Sequence, residues 1–357
     1  WLKIRLKLVG ACCLALPSGA MEDSKNWLDV EKYLDQKEHE LLAKEGVILP
    51  PDHKKGYKYT PKVKIVQKLP WEVCPVPMCP PQSNSQNWIH KDVNFEIGQG
   101  IAYLTLNRPD TNNALTDSVM LAIHDAVSEL HSRIGDIRVL VLRAEGKMFS
   151  AGQLPSAFSD AAALSDADNR KAVATHMKFL YYFQCLPQFT IALVQGSAMG
   201  SAIGLLAVCD MVCAVKAARF AVNEVKLCSA PASYTSFVAQ KVGVSNAMRI
   251  LCMCENLTAD KMKELGFVNE VVGEAAEFSE IVIEVCENLT ATAPNATARS
   301  KRLVQNVARS PFTEAVIDYT GMELATIRVD KEAVAGMVAI QARVKPYWAE
   351  TPIKPLY

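Results

Sequence analysis

Residues 191–214 read IALVQGSAMGSAIGLLAVCDMVCA. An apolar run, a cluster of small residues and a second apolar run describe a buried strand that passes through a tight turn straight into a small-residue helix. The stretch lies within a longer one, Phe189 to Cys209, that carries no charge and is long enough to cross a bilayer. Gln195, Gly196, Ser197, Gly200, Ser201 and Gly204 interrupt it, so strand, turn and helix is the better reading. Outward from this point the same alternation repeats. Val139 to Leu142 is a bare apolar strand, Asp168 to Cys185 a helix, Thr190 to Val194 a strand, and Gly200 to Val208 a helix. Upstream, Thr116 to Ser132 carries Val119, Ile123, Val127 and Leu130 at helical spacing. NFEIGQGIAYLTL (94–106) alternates like two short strands around Gly98 to Gly100, the second ending at Asn107-Arg108-Pro109-Asp110. Strand, helix and strand in this order imply parallel pairing with right-handed crossovers, an α/β fold. After Ala232 the pattern is almost entirely helical.

The first ninety residues are a different kind of chain. Half of the eighteen prolines fall before residue 82. Residues 1–20 place Lys3, Arg5 and Lys7 ahead of an apolar run and a small-residue exit, which resembles a targeting segment; its apolar run is too short to span a membrane. Residues 24–44 read as one helix. His53 to Lys68 holds six lysines interleaved with Tyr57 and Tyr59, and a solvated extended arm is favoured there over an RNA or anionic-membrane strip. The expected division is therefore an N-terminal extension (1–90), an α/β core (91–290) and a helical C-terminal region (291–357).

Lys and Arg number 38, Asp and Glu 38, so no net field draws the chain to nucleic acid. DNA is not an expected partner, RNA is disfavoured, and membrane contact is expected only through the N-terminal segment. The eleven cysteines lack zinc-site spacing. Cys185, Cys209, Cys213, Cys252, Cys254 and Cys286 read as reduced core thiols of a cytosol or organelle matrix, and the CPVPMC pair Cys74 and Cys79 leaves a bridge or two loop thiols open. No metal site is expected. His124, His131 and His176 fall on expected helices without a matching acid or cysteine and read as packing or surface histidines.

Two loops share a layout of strand, small residues and helix or turn: Met148-Phe149-Ser150-Ala151-Gly152-Gln153 and Gln195-Gly196-Ser197-Ala198-Met199-Gly200-Ser201-Ala202. Small residues let main-chain amides approach a ligand closely, and two amides aimed at one point make an oxyanion hole. Taken alone, each cluster more often marks tight helix packing than a site.

LTLNRPDTNNAL (104–115), VLVLRAEGKMFSAG (139–152), the 191–214 stretch, FAVNEVKLCSAPA (220–232) and AGMVAIQARVKPYW (335–348) together resemble the crotonase, or enoyl-CoA hydratase/isomerase, superfamily. The resemblance runs in order over residues 93–348 and leaves the first ninety without a counterpart. It implies a spiral of stacked ββα units with a helical C-terminal region, trimers or pairs of trimers, and acyl-CoA thioesters as substrates with no further cofactor. By position, the backbone N–H groups of Gln153 and Ser201 become the oxyanion donors, and Asn113, Ala114, Ala151, Gly200 and Lys345 fall where the family holds coenzyme A.

Hydratases of the family commonly use two glutamates. The first falls on Gly204 and is absent; the second falls on Glu224. One carboxylate beside a polarised thioester still serves as a general base for isomerisation, and Asn223-Glu224-Val225-Lys226-Leu227 is similar to the stretch in single-glutamate methylglutaconyl-CoA hydratases. The bland reading of Glu224 is a surface acid after a short strand. Departures from the family cluster around this site. Side chains at Ser201 and Ala202 threaten to narrow the thioester slot, Gln153-Leu154-Pro155 loses a bracing acid and turns at a proline, Cys228 to Ala232 replaces a glycine-rich run, and Asp110 stands where some members offer a basic residue. Two readings follow. One is an acyl-CoA hydratase or isomerase. The other is an inactive crotonase-fold subunit of a larger organellar assembly, mitochondrial ahead of plastid, docked through its N-terminal arm.

Overall fold

A computed structural model describes residues 87–308 and 310–356. The chain divides into two units, Trp1–Lys68 and Leu69–Tyr357, and the described residues belong to the second. The apolar segment of residues 1–20, the helix expected over 24–44, the lysine strip and the Cys74/Cys79 pair lie outside the described residues.

Strands β1 (Asn87–Ile89), β2 (Val93–Ile97) and β3 (Ile101–Leu106) form an antiparallel meander. Gly100 supplies the positive φ, +78°, that turns β2 into β3. Helix α1 (Asp117–His131) starts where the Thr116 hydroxyl accepts from the Val119 N–H, and it buries Val119, Ala122, Ile123, Ala126, Val127 and Leu130 along one stripe. The spiral then repeats. β4 (Val139–Ala144) and β5 (Met148–Ser150) precede α2 (Pro155–Ala162) and α3 (Asp166–Gln184); β6 (Phe189–Val194) and β7 (Ser197–Met199) precede α4 (Ser201–Ala207); β8 (Met211–Val215) and β9 (Arg219–Ala221) precede a short 3-10 turn, Glu224–Leu227. Each turn of the spiral lays one strand in a seven-stranded sheet of order β1-β2-β3-β4-β6-β8 and a final strand, and the next in a four-stranded sheet containing β9, β7 and β5.

From β3 onward the large sheet is parallel. Parallel strands are covered on both faces, which is why β4 and β6 are runs of Val, Leu and Ile rather than alternations. Val139, Leu140, Val141 and Leu142 are fully buried, as are Ile191 and Val194, each side chain contributing about 1.5–3 kcal/mol by leaving water. The uncharged stretch 189–209 is thus β6, β7 and α4, and no described helix is long and apolar enough to cross a membrane.

The remainder is α5 (Thr235–Cys252), β10 (Leu257–Thr258), α6 (Ala259–Glu264), β11 (Glu270–Val272), α7 (Phe278–Ala291), α8 (Pro294–Val307), α9 (Glu314–Arg328) and α10 (Lys331–Ala342). Two short strands interrupt the almost entirely helical stretch expected after Ala232. β10 adds antiparallel to β9 and β11 completes the large sheet beside β8, each too short to show a period of its own. Charged side chains dock the helical region onto the core: Lys301 Nζ donates to Asp210 at 2.6 Å and to the Gln188 carbonyl at 2.8 Å. Cys209, Cys213, Cys254 and Cys286 are buried free thiols and Cys185 is half-buried, whereas Cys252 is exposed at the end of α5, against the core position expected for it.

Candidate functional site

The loop after β5 is fastened to the loop before α1. Ala151 N–H donates to the Asn112 carbonyl at 2.8 Å, Leu115 N–H to the Gly152 carbonyl at 2.9 Å, and the Ser150 hydroxyl to the Asn113 carbonyl at 2.7 Å. Asn112 and Asn113 both adopt φ of 53°, a left-handed conformation that asparagine tolerates better than most residues. The Asn113 side chain is spent inside this brace: its amide donates to the Glu145 and Met148 carbonyls, and its oxygen accepts from the Arg108 N–H.

The braced loop meets the second loop backbone to backbone. Gly152 has φ of +74°, and a Cβ there would stand 2.4 Å from the Met199 carbonyl oxygen and 3.0 Å from the Ser201 nitrogen. Only a residue without a side chain lets the two main chains come this close. No hydrogen bond among the described residues uses the N–H of Gln153 or of Ser201; as the first residue of α4, Ser201 has no partner within its helix. Gly200, with φ of +54°, caps α4 and faces the third component, because a Cβ on it would lie 3.2 Å from Glu224 Oε1.

Glu224 opens the 3-10 turn after β9 and is only 7% exposed, which overturns its reading as a surface acid. One of its oxygens is engaged: Tyr234 donates its hydroxyl to Oε1 in a short hydrogen bond. The other, Oε2, is buried without a partner. Burial and the adjacent carboxylate push the Tyr234 phenol well above its usual range, so it keeps its proton and acts as a donor.

Tyr234 is the residue that sequence reasoning missed. Its ring lies against Gly204, where a Cβ would come within 2.6 Å of the Tyr234 Cβ. The signal was a glycine in the middle of a buried apolar helix: a position stripped of its side chain calls for something bulky opposite.

Gln153, Glu224 and Tyr234 border a cavity of about 740 Å³ between α1, α2, α3 and the segment 229–234, with His124, His176 and Phe179 also among its walls. Ser201 and Ala202 are buried in the packing of α4 and, unlike Gln153, are not among the residues that line the space. Asn113, Ala114, Ala151 and Gly200 are not among its lining residues either, and Lys345 is exposed beyond α10. Pro155 serves as the first residue of α2 rather than only deflecting the loop. Asp110 is matched by Arg108, which grips it through two contacts of 3.0 Å, so its charge is not a bare obstacle to a phosphate.

His176 Nδ1 lies 2.7 Å from the Ser233 hydroxyl in the cavity wall. Burial lowers the pKa of His176, and burial foremost lowers that of His131 as well, keeping both imidazoles neutral. The unfolded chain binds protons at these histidines below about pH 6.5, while the folded chain resists doing so. Stability therefore falls as pH drops through that value, by up to about 1 kcal/mol per histidine by pH 5.5. Urea denaturation at pH 7.5 and 5.5 should show the loss, and it should shrink in His176→Asn; an equal loss in that variant would remove His176 from the account. Among the described residues no group of three or more His, Cys, Asp or Glu could hold a metal ion.

Stacked strand pairs in a spiral, followed by a helical C-terminal region, define a crotonase fold. The chain belongs to the enoyl-CoA hydratase/isomerase family, whose sequence model matches residues 96–351. An enoyl-CoA hydratase of Alternaria alternata is 28% identical over 216 residues, 59% of this chain and 69% of that protein. The short-chain-enoyl-CoA hydratase of Clostridium acetobutylicum is 27% identical over 205 residues, 57% of this chain and 77% of its own. Among solved structures, an enoyl-CoA hydratase from Shewanella pealeana superposes with a TM-score of 0.67 at 26% identity, covering 72% of this chain and 96% of that one. An enoyl-CoA hydratase/isomerase from Marinobacter aquaeolei gives 0.68 at 25%, over 73% and 100% of the two chains.

Proposed function

We propose that this chain acts on an acyl-CoA thioester, with the Gln153 and Ser201 N–H groups receiving the charge that develops on the thioester oxygen and Glu224 Oε2 moving a proton at a neighbouring carbon. The observation that carries this reading is the unpartnered oxygen of a buried glutamate, held beside the junction of the two loops on the wall of a cavity that Gln153 also lines. A negative oxygen held by two preorganised amides acidifies the adjacent C–H, and a carboxylate in reach can then act as base. The enoyl-CoA names of the relatives are consistent with that substrate class. The test is turnover by the purified chain of crotonyl-CoA, a 3-enoyl-CoA and 3-methylglutaconyl-CoA. Conversion of at least one is expected; conversion of none, by a chain that is folded, counts against the reading.

A second reading, in which the fold serves assembly, draws on a specific observation. The helical C-terminal region leaves large apolar side chains in solvent, among them Phe312 at 85% and Ile340 at 78% exposure, with Val304, Val329 and Val344 also exposed. An apolar surface of this kind suits contact with further copies of the chain. Light scattering after size exclusion should give a mass above the monomer, reduced in Phe312→Lys/Ile340→Lys; a monomeric wild type would set this reading aside.

A further inference from the structure

We infer that Tyr234 is a positioning residue that restricts the site to moving protons between carbons and denies it the addition of water. The inference rests on the reading of Glu224 as a base acting on a thioester. Adding water across a double bond needs two things at once: an oxygen nucleophile held and deprotonated at one carbon, and a proton delivered to the next. Two groups, or both oxygens of one carboxylate, must be available for this. Here Oε1 of Glu224 is occupied by the Tyr234 hydroxyl, and only Oε2 remains open. The phenol cannot take over as a second base, because burial beside a carboxylate holds its proton in place.

Nor can another side chain enter. The Tyr234 ring fills the space in front of Gly204, whose Cβ would collide with it at 2.6–3.2 Å. Among the described residues, Glu224 is the one buried acid on the cavity wall. A carboxylate with one free oxygen suits a shuttle. For a 3-enoyl thioester, Oε2 takes the proton from C2 and the C–H electron pair passes into the dienolate, whose charge rests on the thioester oxygen. The same oxygen returns the proton to C4 as the double bond forms between C2 and C3. Atoms and electrons balance with no water consumed.

The experiment compares isomerisation of 3-hexenoyl-CoA with hydration of crotonyl-CoA by the full chain, resolving products by chromatography and following C2 deuterium uptake in D2O. The wild type should isomerise at least about 100-fold faster than it hydrates. Tyr234→Phe keeps the ring over Gly204 and frees Oε1. It should lower the kcat of isomerisation about 10-fold with KM unchanged, the loss expected for one hydrogen bond to a charged group, and it should shift the product ratio toward hydration. Tyr234→Ala combined with Gly204→Glu opens the space and places a second carboxylate in it, and should shift the ratio further. Hydration by the wild type as fast as isomerisation overturns the inference and leaves the base in place. So does an unchanged ratio in a folded Tyr234→Phe chain. Absence of both isomerisation and deuterium uptake in a chain that still binds the ester removes the base, and this inference with it.

Discussion

Gly152→Ala should cost this protein both stability and turnover. The new Cβ would stand 2.4 Å from the Met199 carbonyl oxygen and 3.0 Å from the Ser201 nitrogen. Both obstacles are main chain, so no rotamer change relieves them. The residue also sits at φ of +74°, where an alanine is strained before it meets a neighbour. Overpacking and backbone strain together predict a loss of about 2–4 kcal/mol in denaturant unfolding. Separation of the two loops predicts a fall in kcat of about 10²–10³, the effect of displacing one oxyanion donor. Gly135 is the control, because a Cβ there meets nothing within 4 Å, and Gly135→Ala should leave both quantities unchanged. Wild-type behaviour of Gly152→Ala would mean that the apposed loops have no part in the chemistry.

Glu224→Gln should leave the fold intact and remove about 10²–10⁴ of the rate, the usual contribution of a general base. The amide has nearly the shape of the carboxylate, and its oxygen can still accept the Tyr234 hydroxyl, so the hydrogen bond that holds the side chain survives. What it loses is the lone-pair charge at Oε2. KM should change little, because Glu224 is not called on to bind the ester. Thermal unfolding and steady-state kinetics on one preparation check both halves. A variant that keeps its rate would transfer the base to another residue, with the His176–Ser233 contact in the same wall next to be tried.

The parts of this molecule legible in its sequence are those set by local period or by contact with the backbone. The apolar runs 139–142 of β4 and 191–194 of β6 announce a doubly covered parallel sheet, the stripe Val119, Ile123, Val127 announces the buried face of α1, and Gly152 and Gly200 mark two close approaches. What was not legible depends on the third dimension. Glu224 is flanked by Val225 and Leu227, 44% and 56% exposed, so nothing nearby in sequence announces that its own carboxyl is buried. The Tyr234 contact spans ten residues and the His176–Ser233 contact fifty-seven, and neither spacing belongs to a repeating element. Helix α2 begins at a proline that looked like a disturbance of the loop and is instead its first residue.

The departures from the family pattern thus have different physical weights. The apposed loops, the buried glutamate and the cavity are all in place, while the space a side chain at Gly204 would need is filled by the Tyr234 ring.

Vibrational spectroscopy of a bound thioester reaches the central claim most directly. With an enoyl-CoA carrying ¹³C at the thioester carbonyl, the carbonyl stretch should move to lower frequency on binding the wild type, as two amides draw charge onto the oxygen, and should return toward its free position in Gly152→Ala. An ester that binds the wild-type protein with its carbonyl band unmoved would contradict the claim that the Gln153 and Ser201 amides converge on it.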